Sequence, residues 1–223
     1  MDRTRQLLLD ISSIPEPSLW NFVPGSNQEL LNYLTNFDLS EEKIVYIWGE
    51  TGCGKSHLLK ATVNAIVAKG GLACYCEPGQ LPQTYLAETH DLLAIDNVGM
   101  LDAERQIELF DLFNRAKEEK SRLLMCGGNV PSALNIRPDV STRISWGLIF
   151  RVHSLSDRDK REALLAHAQS RGFTLNSEIA DYLLHHTERN MSSLMWLLDT
   201  LDHCSLETKR PITLPLLREI LSK

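Results

Sequence analysis

One eight-residue segment constrains this chain more than any other. Residues 49–56 have the sequence Gly-Glu-Thr-Gly-Cys-Gly-Lys-Ser, which matches the pattern GxxxxGK[ST]. An apolar run at 43–48 precedes the segment, and an amphipathic stretch at 56–69 follows it. A strand before this motif and a helix after it form the context of a true P-loop, whose backbone N–H groups surround phosphate oxygens. The sequence therefore predicts a nucleotide-binding α/β domain.

The P-loop and one later carboxylate supply most of the predicted nucleotide site. Lys55 offers a compact positive charge to the β- and γ-phosphates, and the Ser56 hydroxyl can hold Mg²⁺. The apolar run 92–95 ends at Asp96, as in a Walker B strand whose carboxylate reaches Mg²⁺ through water. We expect ADP or ATP with Mg²⁺ as the ligand. The expected contact residues in these segments are Gly49, Thr51, Gly52, Cys53, Gly54, Lys55, Ser56, Asp96 and Asn97.

The residue after the Walker B carboxylate bears on hydrolysis. Vigorous P-loop ATPases of the AAA+ type have a glutamate there, which acts as a general base toward the attacking water. This chain has Asn97. An amide can orient a water molecule but cannot accept its proton, so we expect the chain to hold Mg-nucleotide and to hydrolyse it poorly on its own.

The pattern of apolar residues predicts two domains joined near residue 155. Alternating strands and helices indicate parallel βαβ units with right-handed crossovers. The expected strands are 43–48, 72–76, 91–95, 122–126 and 147–152, and the expected helices are 28–37, 56–69 and 103–120. The apolar faces of the last two helices are expected to include Val67 and Ile107. Four further helices are expected at 157–171, 177–188, 191–205 and 214–222, the first with a capping box formed by Ser156 and Asp159.

Composition excludes several classes of protein. The formal net charge of −6 argues against a dedicated DNA-binding domain, because phosphate contacts need clustered Lys and Arg. The five cysteines lack the spacing of a zinc site and are expected to be reduced and mostly buried. We find no signal peptide and no run approaching the ~18 apolar residues of a membrane span. A cytoplasmic protein without direct sequence-specific DNA binding or membrane contact is expected.

Several segments resemble the DnaA-related AAA+ family and, within it, the short regulatory Hda group. The resemblance covers nearly the whole chain. It rests on Asn21–Asn27, on Gly54–Leu59, on Asp96-Asn97, on Ser141–Gly147, and on the lid segments Ser154–Lys160 and Arg171–Phe173. It implies a P-loop α/β domain with a five-stranded parallel sheet (21–155), a small all-helical lid (156–223) and a flexible arm (1–20). The family's C-terminal helix-turn-helix domain is not expected in this chain.

The resemblance also implies roles for particular residues. Phe22 and Val23 fall in the segment that contacts the adenine base, and His57 continues the family's form of the P-loop. Arg143 matches the arginine finger, which serves the nucleotide of a neighbouring subunit. A lone arginine could instead form an internal salt bridge or lie at a solvated loop end, and these alternatives stay open.

Two positions depart from the family pattern. Ser192 stands where the lid normally carries the sensor-2 arginine, and Arg189 is near but out of register. The fourth strand leads into Gly127-Gly128-Asn129 and offers no Asp at the sensor-1 position, and Asn129 substitutes only if the loop shifts by one residue. Both departures favour weak hydrolysis by this chain.

The N-terminal arm contains the sequence Gln-Leu-Leu-Leu-Asp-Ile at 6–11. It resembles the peptide with which bacterial proteins bind the DNA polymerase sliding clamp. Gln6 would bond at a pocket rim while apolar side chains fill a slot. The expected partner-binding residues are Gln6, Leu7, Leu9 and Ile11. The alternative is a short apolar patch that docks on its own domain.

Together these features predict a negative regulator of replication initiation. Bound to the DNA-loaded clamp, it would dock on the initiator DnaA and stimulate hydrolysis of the initiator's ATP. The main alternative is a stand-alone AAA+ motor similar to a helicase loader. A small-molecule kinase and a pure adaptor with a structural nucleotide are further alternatives, and self-association stays open.

Overall fold

The computed structural model describes residues 16–82, 90–118, 121–187 and 190–221, except for the side chains of Lys117 and Ser192. Residues 16–155 form one compact unit, and residues 156–221 belong to a second. Within the described ranges, no helix combines the length and the apolar character needed to cross a membrane.

The first unit is built on a five-stranded sheet, as expected. Among the described residues its strands are β1 (Ile44–Trp48), β2 (Ala73–Cys76), β3 (Leu92–Ile95), β4 (Arg122–Gly127) and β5 (Leu148–Arg151). All four pairings are parallel, and the strand order is β2-β3-β4-β1-β5. The carboxyl ends of the strands therefore lie along one edge, which is where open α/β sheets bind ligands.

Helices cover both faces of this sheet. They are α1 (Gln28–Thr35), α2 (Lys55–Ala68), α3 (Ala103–Glu118) and α4 (Pro138–Ile144). Apolar side chains of α1 and α2 pack on one face with Val45 and Ile47, whereas those of α3 and α4 pack on the other with Tyr46. Alternate residues of β1 thus serve opposite cores, as expected for a strand buried on both faces.

The sequence pattern was wrong about two apolar positions and missed one helix. Val67 is 52% exposed and Ile107 is 49% exposed. Val67 is adjacent to the buried Ile66 in α2, and Ile107 lies two positions before the buried Leu109 in α3. Helix α4 escaped prediction because seven residues show too little periodicity, although Pro138 suits its first turn.

The second unit is helical, as expected. Its described helices are α5 (Asp157–Ser170), α6 (Ser177–His186), α7 (Met191–Thr208) and α8 (Leu214–Leu221). The predicted capping box is present: Ser156 accepts a bond from the Asp159 N–H, and the Asp159 carboxylate accepts one from the Ser156 N–H. Leucines from all four helices form one core. The nearly buried Asp199 of α7 is bonded to His167 of α5 at 2.7 Å, which ties these two helices together.

Candidate functional site

The P-loop connects β1 to α2 and depends on glycine at three positions. Gly52 and Gly54 have φ angles of 80° and 102°, which residues with a Cβ rarely adopt. A Cβ on Gly54 would lie 2.8 Å from the Phe22 ring, and one on Gly49 would collide with the Val152 carbonyl oxygen. Sequence and geometry therefore agree that this loop curls tightly at the start of α2, where helix N–H groups point outward.

Lys55 lies at the mouth of this loop. Its ammonium group donates to the carbonyl oxygens of Gly49 and Glu50, each at 2.8 Å, and the sulfur of Cys53 is 3.8 Å away. Three donors on a flexible stem can also reach phosphate oxygens. Lys55 therefore fits the phosphate-binding role that the motif predicts.

Asp96 lies directly beyond β3 and is 4% exposed. Its Oδ2 accepts a bond from the Tyr75 hydroxyl at 2.6 Å, and its Oδ1 accepts one from the Cys126 thiol at 2.9 Å. Burial alone would raise the pKa of Asp96, but hydrogen bonds from Cys126, Ser56 and Tyr75 outweigh it, so its pKa lies below the ordinary value. An ionised carboxylate bonded to Ser56 suits Mg²⁺ bound next to a phosphate.

Asn97 adopts a left-handed backbone conformation, with φ 47° and ψ 66°. Asn is among the few residues that enter this region without large strain. Its N–H donates to the sulfur of Cys126 at 3.3 Å. The amide in place of a general base therefore coincides with a backbone geometry that itself favours asparagine over glutamate.

The segment before β1 lies against the P-loop helix. The carbonyl oxygen of Ser18 is 3.0 Å from Nε2 of His57, and that of Pro17 accepts a bond from Asn64 at 2.9 Å. The Phe22 ring lies 5.7 Å from the His57 ring, centroid to centroid. Burial lowers the pKa of His57, and the bond to Ser18 offsets this only in part. The neutral imidazole is therefore favoured and donates from Nε2 to Ser18.

The Asn27 side chain holds the segment that follows β5. It donates to the carbonyl oxygen of His153 at 2.9 Å and accepts from the His153 N–H at 2.7 Å. Asn27 is 2% exposed, and the preceding Val152 carbonyl is the group that crowds Gly49. The P-loop, the segment before β1 and residues 152–153 therefore form one packed cluster.

Arg143 lies near the end of α4 and is bound by three side chains. It donates to Oδ1 of Asn114 at 2.5 Å. Its guanidinium carbon lies 3.8 Å from the centroid of the Phe110 ring and 4.9 Å from that of Trp146. Phe110 and Asn114 belong to α3. Each ring contact is a cation–π interaction worth about 0.5–1 kcal/mol at a partly exposed site. Among the described residues, the internal contacts of Arg143 are therefore with an amide and two rings.

The structure brings together part of the predicted set. Lys55 and Ser56 lie close enough to Asp96 to lower the pKa of its carboxyl group, so these three residues share one cluster. Phe22 and His57 lie beside Gly54. Val23, which follows Phe22 in the chain, is half-buried. Thr51 is exposed at the tip of the loop, while Cys53 is buried. Asn129 is exposed, and its carbonyl oxygen accepts a bond from the Tyr46 hydroxyl at 2.6 Å.

Other predicted residues lie outside the described part of the chain. These are Gln6, Leu7, Leu9 and Ile11 of the arm, together with Arg189. Ser192 belongs to the first turn of α7 by its backbone, and its side chain is not described. Their roles stay predictions.

Five residues near the predicted sites escaped the sequence-based interpretation of function. Tyr75 and Cys126 bond to Asp96, and Asn27 bonds to His153. Phe110 and Asn114 contact Arg143. Tyr75 and Cys126 could have been found, because each is the next-to-last residue of a strand beside β3, at the sheet edge where ligands bind.

Comparison with known protein families identifies the second unit. Residues 157–221 match the family model described as the Hda lid domain. The match spans α5 to α8 and begins one residue after the capping Ser156. The helical unit is therefore a lid domain of the Hda type.

Solved structures similar to this chain have the AAA+ fold. Domain III of the Thermotoga maritima replication initiation protein DnaA matches at 20% identity over 93% of this chain and 98% of that chain, with a TM-score of 0.70. AMPPCP-bound DnaA from Aquifex aeolicus matches at 21% identity over 84% of this chain and 65% of its own, with a TM-score of 0.65. The RuvB Holliday junction branch migration motor of T. maritima matches at 15% identity over 94% of this chain and 72% of that chain, with a TM-score of 0.65.

Proposed function

We propose that this chain, whose helical unit matches an Hda lid domain and whose fold is similar to that of DnaA, is a DnaA-related AAA+ protein that binds ADP or ATP together with Mg²⁺ at the P-loop. The glycines of the loop, the Lys55 ammonium and the Ser56–Asp96 pair supply donors for phosphate and oxygen ligands for the metal. The similar DnaA of A. aeolicus is bound to AMPPCP, an observation that supports a nucleotide here. When bound, Mg²⁺ neutralises phosphate charge.

We further propose that the protein regulates replication initiation by acting on the nucleotide of another subunit, the initiator DnaA. The observation that carries this proposal is the environment of Arg143. Its described contacts are Phe110, Asn114 and Trp146, and none of these belongs to the P-loop or to the Asp96 cluster. An arginine that lies apart from its own nucleotide site and has one planar face against aromatic rings suits a role in trans.

The chain's own hydrolysis is proposed to be weak. Asn97 cannot accept a proton from water, and its left-handed backbone would strain a glutamate at this position. The nucleotide would then serve mainly to stabilise the fold that presents Arg143.

The arm completes the proposal. We infer that Gln6, Leu7, Leu9 and Ile11 bind the sliding clamp, so that the clamp and the initiator are contacted at the same time. Two weak contacts joined by one chain reinforce each other, because the second contact forms at a raised effective concentration. The protein would then act where clamps are loaded on DNA.

Arg143→Ala and Arg143→Lys test the regulatory role. Release of labelled phosphate from ATP-loaded DnaA is measured with clamp on DNA present. An arginine finger is worth roughly 10³–10⁵ in rate, and lysine lacks its planar fork. Both variants should therefore lose the stimulation while keeping the nucleotide affinity. Arg143→Ala should also lower the melting temperature slightly, because it loses two ring contacts of about 0.5–1 kcal/mol each.

Arg137→Ala is the matched control, because Arg137 also lies at α4 but pairs with Asp139 at the exposed start of the helix. It should stimulate as the wild type does. Near-normal stimulation by either Arg143 variant would remove the finger role. No stimulation by the wild type would remove the regulatory proposal and leave nucleotide binding in place.

A further inference from the structure

Asp96 is held from both sides by neighbouring strands. Tyr75 lies in β2 and Cys126 in β4, and these two strands flank β3 in the sheet. Tyr75 bonds to Oδ2 of Asp96 at 2.6 Å, and Cys126 bonds to Oδ1 at 2.9 Å. Each carboxylate oxygen therefore has its own donor, and the two donors come from opposite directions along the sheet.

The direction of both hydrogen bonds follows from the groups that form them. A phenol and a thiol each have one proton to donate, whereas an ionised carboxylate can only accept. Tyr75 and Cys126 are therefore the donors, and Asp96 is the acceptor in both contacts.

These donors limit what else Asp96 can bind. An ionised carboxylate offers about four lone-pair sites. Tyr75 and Cys126 take one on each oxygen. A carboxylate with both oxygens restrained in this way presents its remaining lone pairs in fixed directions. That is the requirement of a group that orients a single water molecule of a metal ion.

Neither contact is explained by packing alone. The Lys60 ammonium lies over the Tyr75 ring, 4.6 Å from its centroid, a contact in which the Tyr75 hydroxyl takes no part. Cys126 also accepts a bond from the Asn97 N–H at 3.3 Å, so its sulfur links the carboxylate to the backbone that follows it. An alanine there would keep the backbone of β4 and lose both contacts.

We propose that Tyr75 and Cys126 are positioning residues that hold the Asp96 carboxylate in the orientation in which it serves the Mg²⁺ of the bound nucleotide. The inference rests on the proposed nucleotide binding. It assigns a role to the edge strand β2, which contributes no residue to the P-loop itself. Loss of either donor leaves Asp96 in place but free to turn.

The test compares Mg²⁺-dependent with Mg²⁺-independent binding of ADP by the full chain. Calorimetric titrations are run over a series of Mg²⁺ concentrations and in EDTA, with Tyr75→Phe, Cys126→Ala and Cys126→Ser. Loss of partners of metal ligands typically costs 10–100-fold in metal affinity. Tyr75→Phe and Cys126→Ala should therefore need about 10–100-fold more Mg²⁺ for half of the affinity gain, with ADP affinity in EDTA unchanged.

Cys126→Ser should restore most of the Mg²⁺ response, because a hydroxyl can also donate to Asp96. Tyr33→Phe is the matched control, since the Tyr33 hydroxyl bonds to Ser40 at 2.6 Å and not to Asp96. Melting temperatures without nucleotide confirm that each variant folds.

The outcomes separate this inference from the proposal on which it rests. A wild type that binds no ADP would overturn nucleotide binding and the inference with it. A wild type with Mg²⁺-dependent binding, together with variants that share its Mg²⁺ response, would overturn the inference alone. An equal loss of affinity with and without Mg²⁺ would also overturn it, because that result indicates a general disturbance of the site.

Discussion

Asn27 allows a stability prediction that follows from two distances. Its side chain donates to the carbonyl oxygen of His153 at 2.9 Å and accepts from the same residue's N–H at 2.7 Å. Asn27→Ala removes both bonds and leaves two backbone groups without this partner. A buried polar group left unsatisfied costs about 1–3 kcal/mol, so two such groups set an upper limit of about 2–6 kcal/mol.

The exposure of His153 lowers this limit. His153 lies at the surface, so water can replace part of what is lost. We therefore expect Asn27→Ala to reduce the free energy of unfolding by about 1–3 kcal/mol. Asn27→Asp should cost at least as much, because a carboxylate keeps the acceptor but places an oxygen against the His153 carbonyl.

Urea unfolding followed by tryptophan fluorescence measures the effect. Of the four tryptophans, only Trp196 lies outside residues 16–155, so a Trp196→Phe background makes the signal specific to that unit. Asn32→Ala is the control, because the Asn32 side chain accepts a bond from the exposed Gln28 side chain. If Asn27→Ala and Asn32→Ala agree within about 0.5 kcal/mol, the ordinary range of surface substitutions, the reasoning is refuted.

Three further predictions concern binding and turnover. Lys55→Ala should weaken ADP binding at least tenfold by calorimetry, because it loses a charge-assisted contact of about 1.5–3 kcal/mol. The control Lys69→Ala, at the far end of α2, should keep the wild-type affinity. Equal ADP affinities of the wild type and Lys55→Ala would contradict the P-loop assignment. Because Asn97 cannot act as a base, ATP turnover by the purified protein should fall far below the ~1–100 s⁻¹ of efficient phosphoryl-transfer enzymes; turnover in that range would favour a motor. Gln6→Ala combined with Leu9→Ala should abolish clamp binding in a surface-resonance assay and leave nucleotide binding intact; retained clamp binding would support an apolar patch that docks on its own domain.

The order of the sheet explains what could and could not be predicted from the sequence. The P-loop was predictable because its motif, the apolar run before it and the helix after it are adjacent in the chain. The bonds of Tyr75 and Cys126 to Asp96 depend instead on which strands lie beside β3. Apolar periodicity reveals where strands are but not their order, which is β2-β3-β4-β1-β5. Neighbours that are 21 and 30 residues away in the chain were therefore missed.

Apolar patterns also failed where a helix is short or its buried stripe is narrow. Helix α4 has seven residues, fewer than two full repeats of the pattern that identifies an amphipathic helix. Val67 and Ile107 fit a helical spacing, yet each faces solvent because the sheet covers only one side of its helix. Which of its apolar residues point inward depends on how the helix is rotated over the sheet.

The contacts of Arg143 have an entropic consequence for any complex that it enters. A free arginine side chain has about 2 kcal/mol of rotamer freedom to lose when it is immobilised. Phe110, Asn114 and Trp146 already restrict Arg143 within the single chain. That loss then occurs when the chain folds and not when a partner binds. Since 2 kcal/mol corresponds to roughly thirtyfold in an equilibrium constant, a complex formed around Arg143 would be tighter by up to about that factor than one formed around an unrestrained arginine.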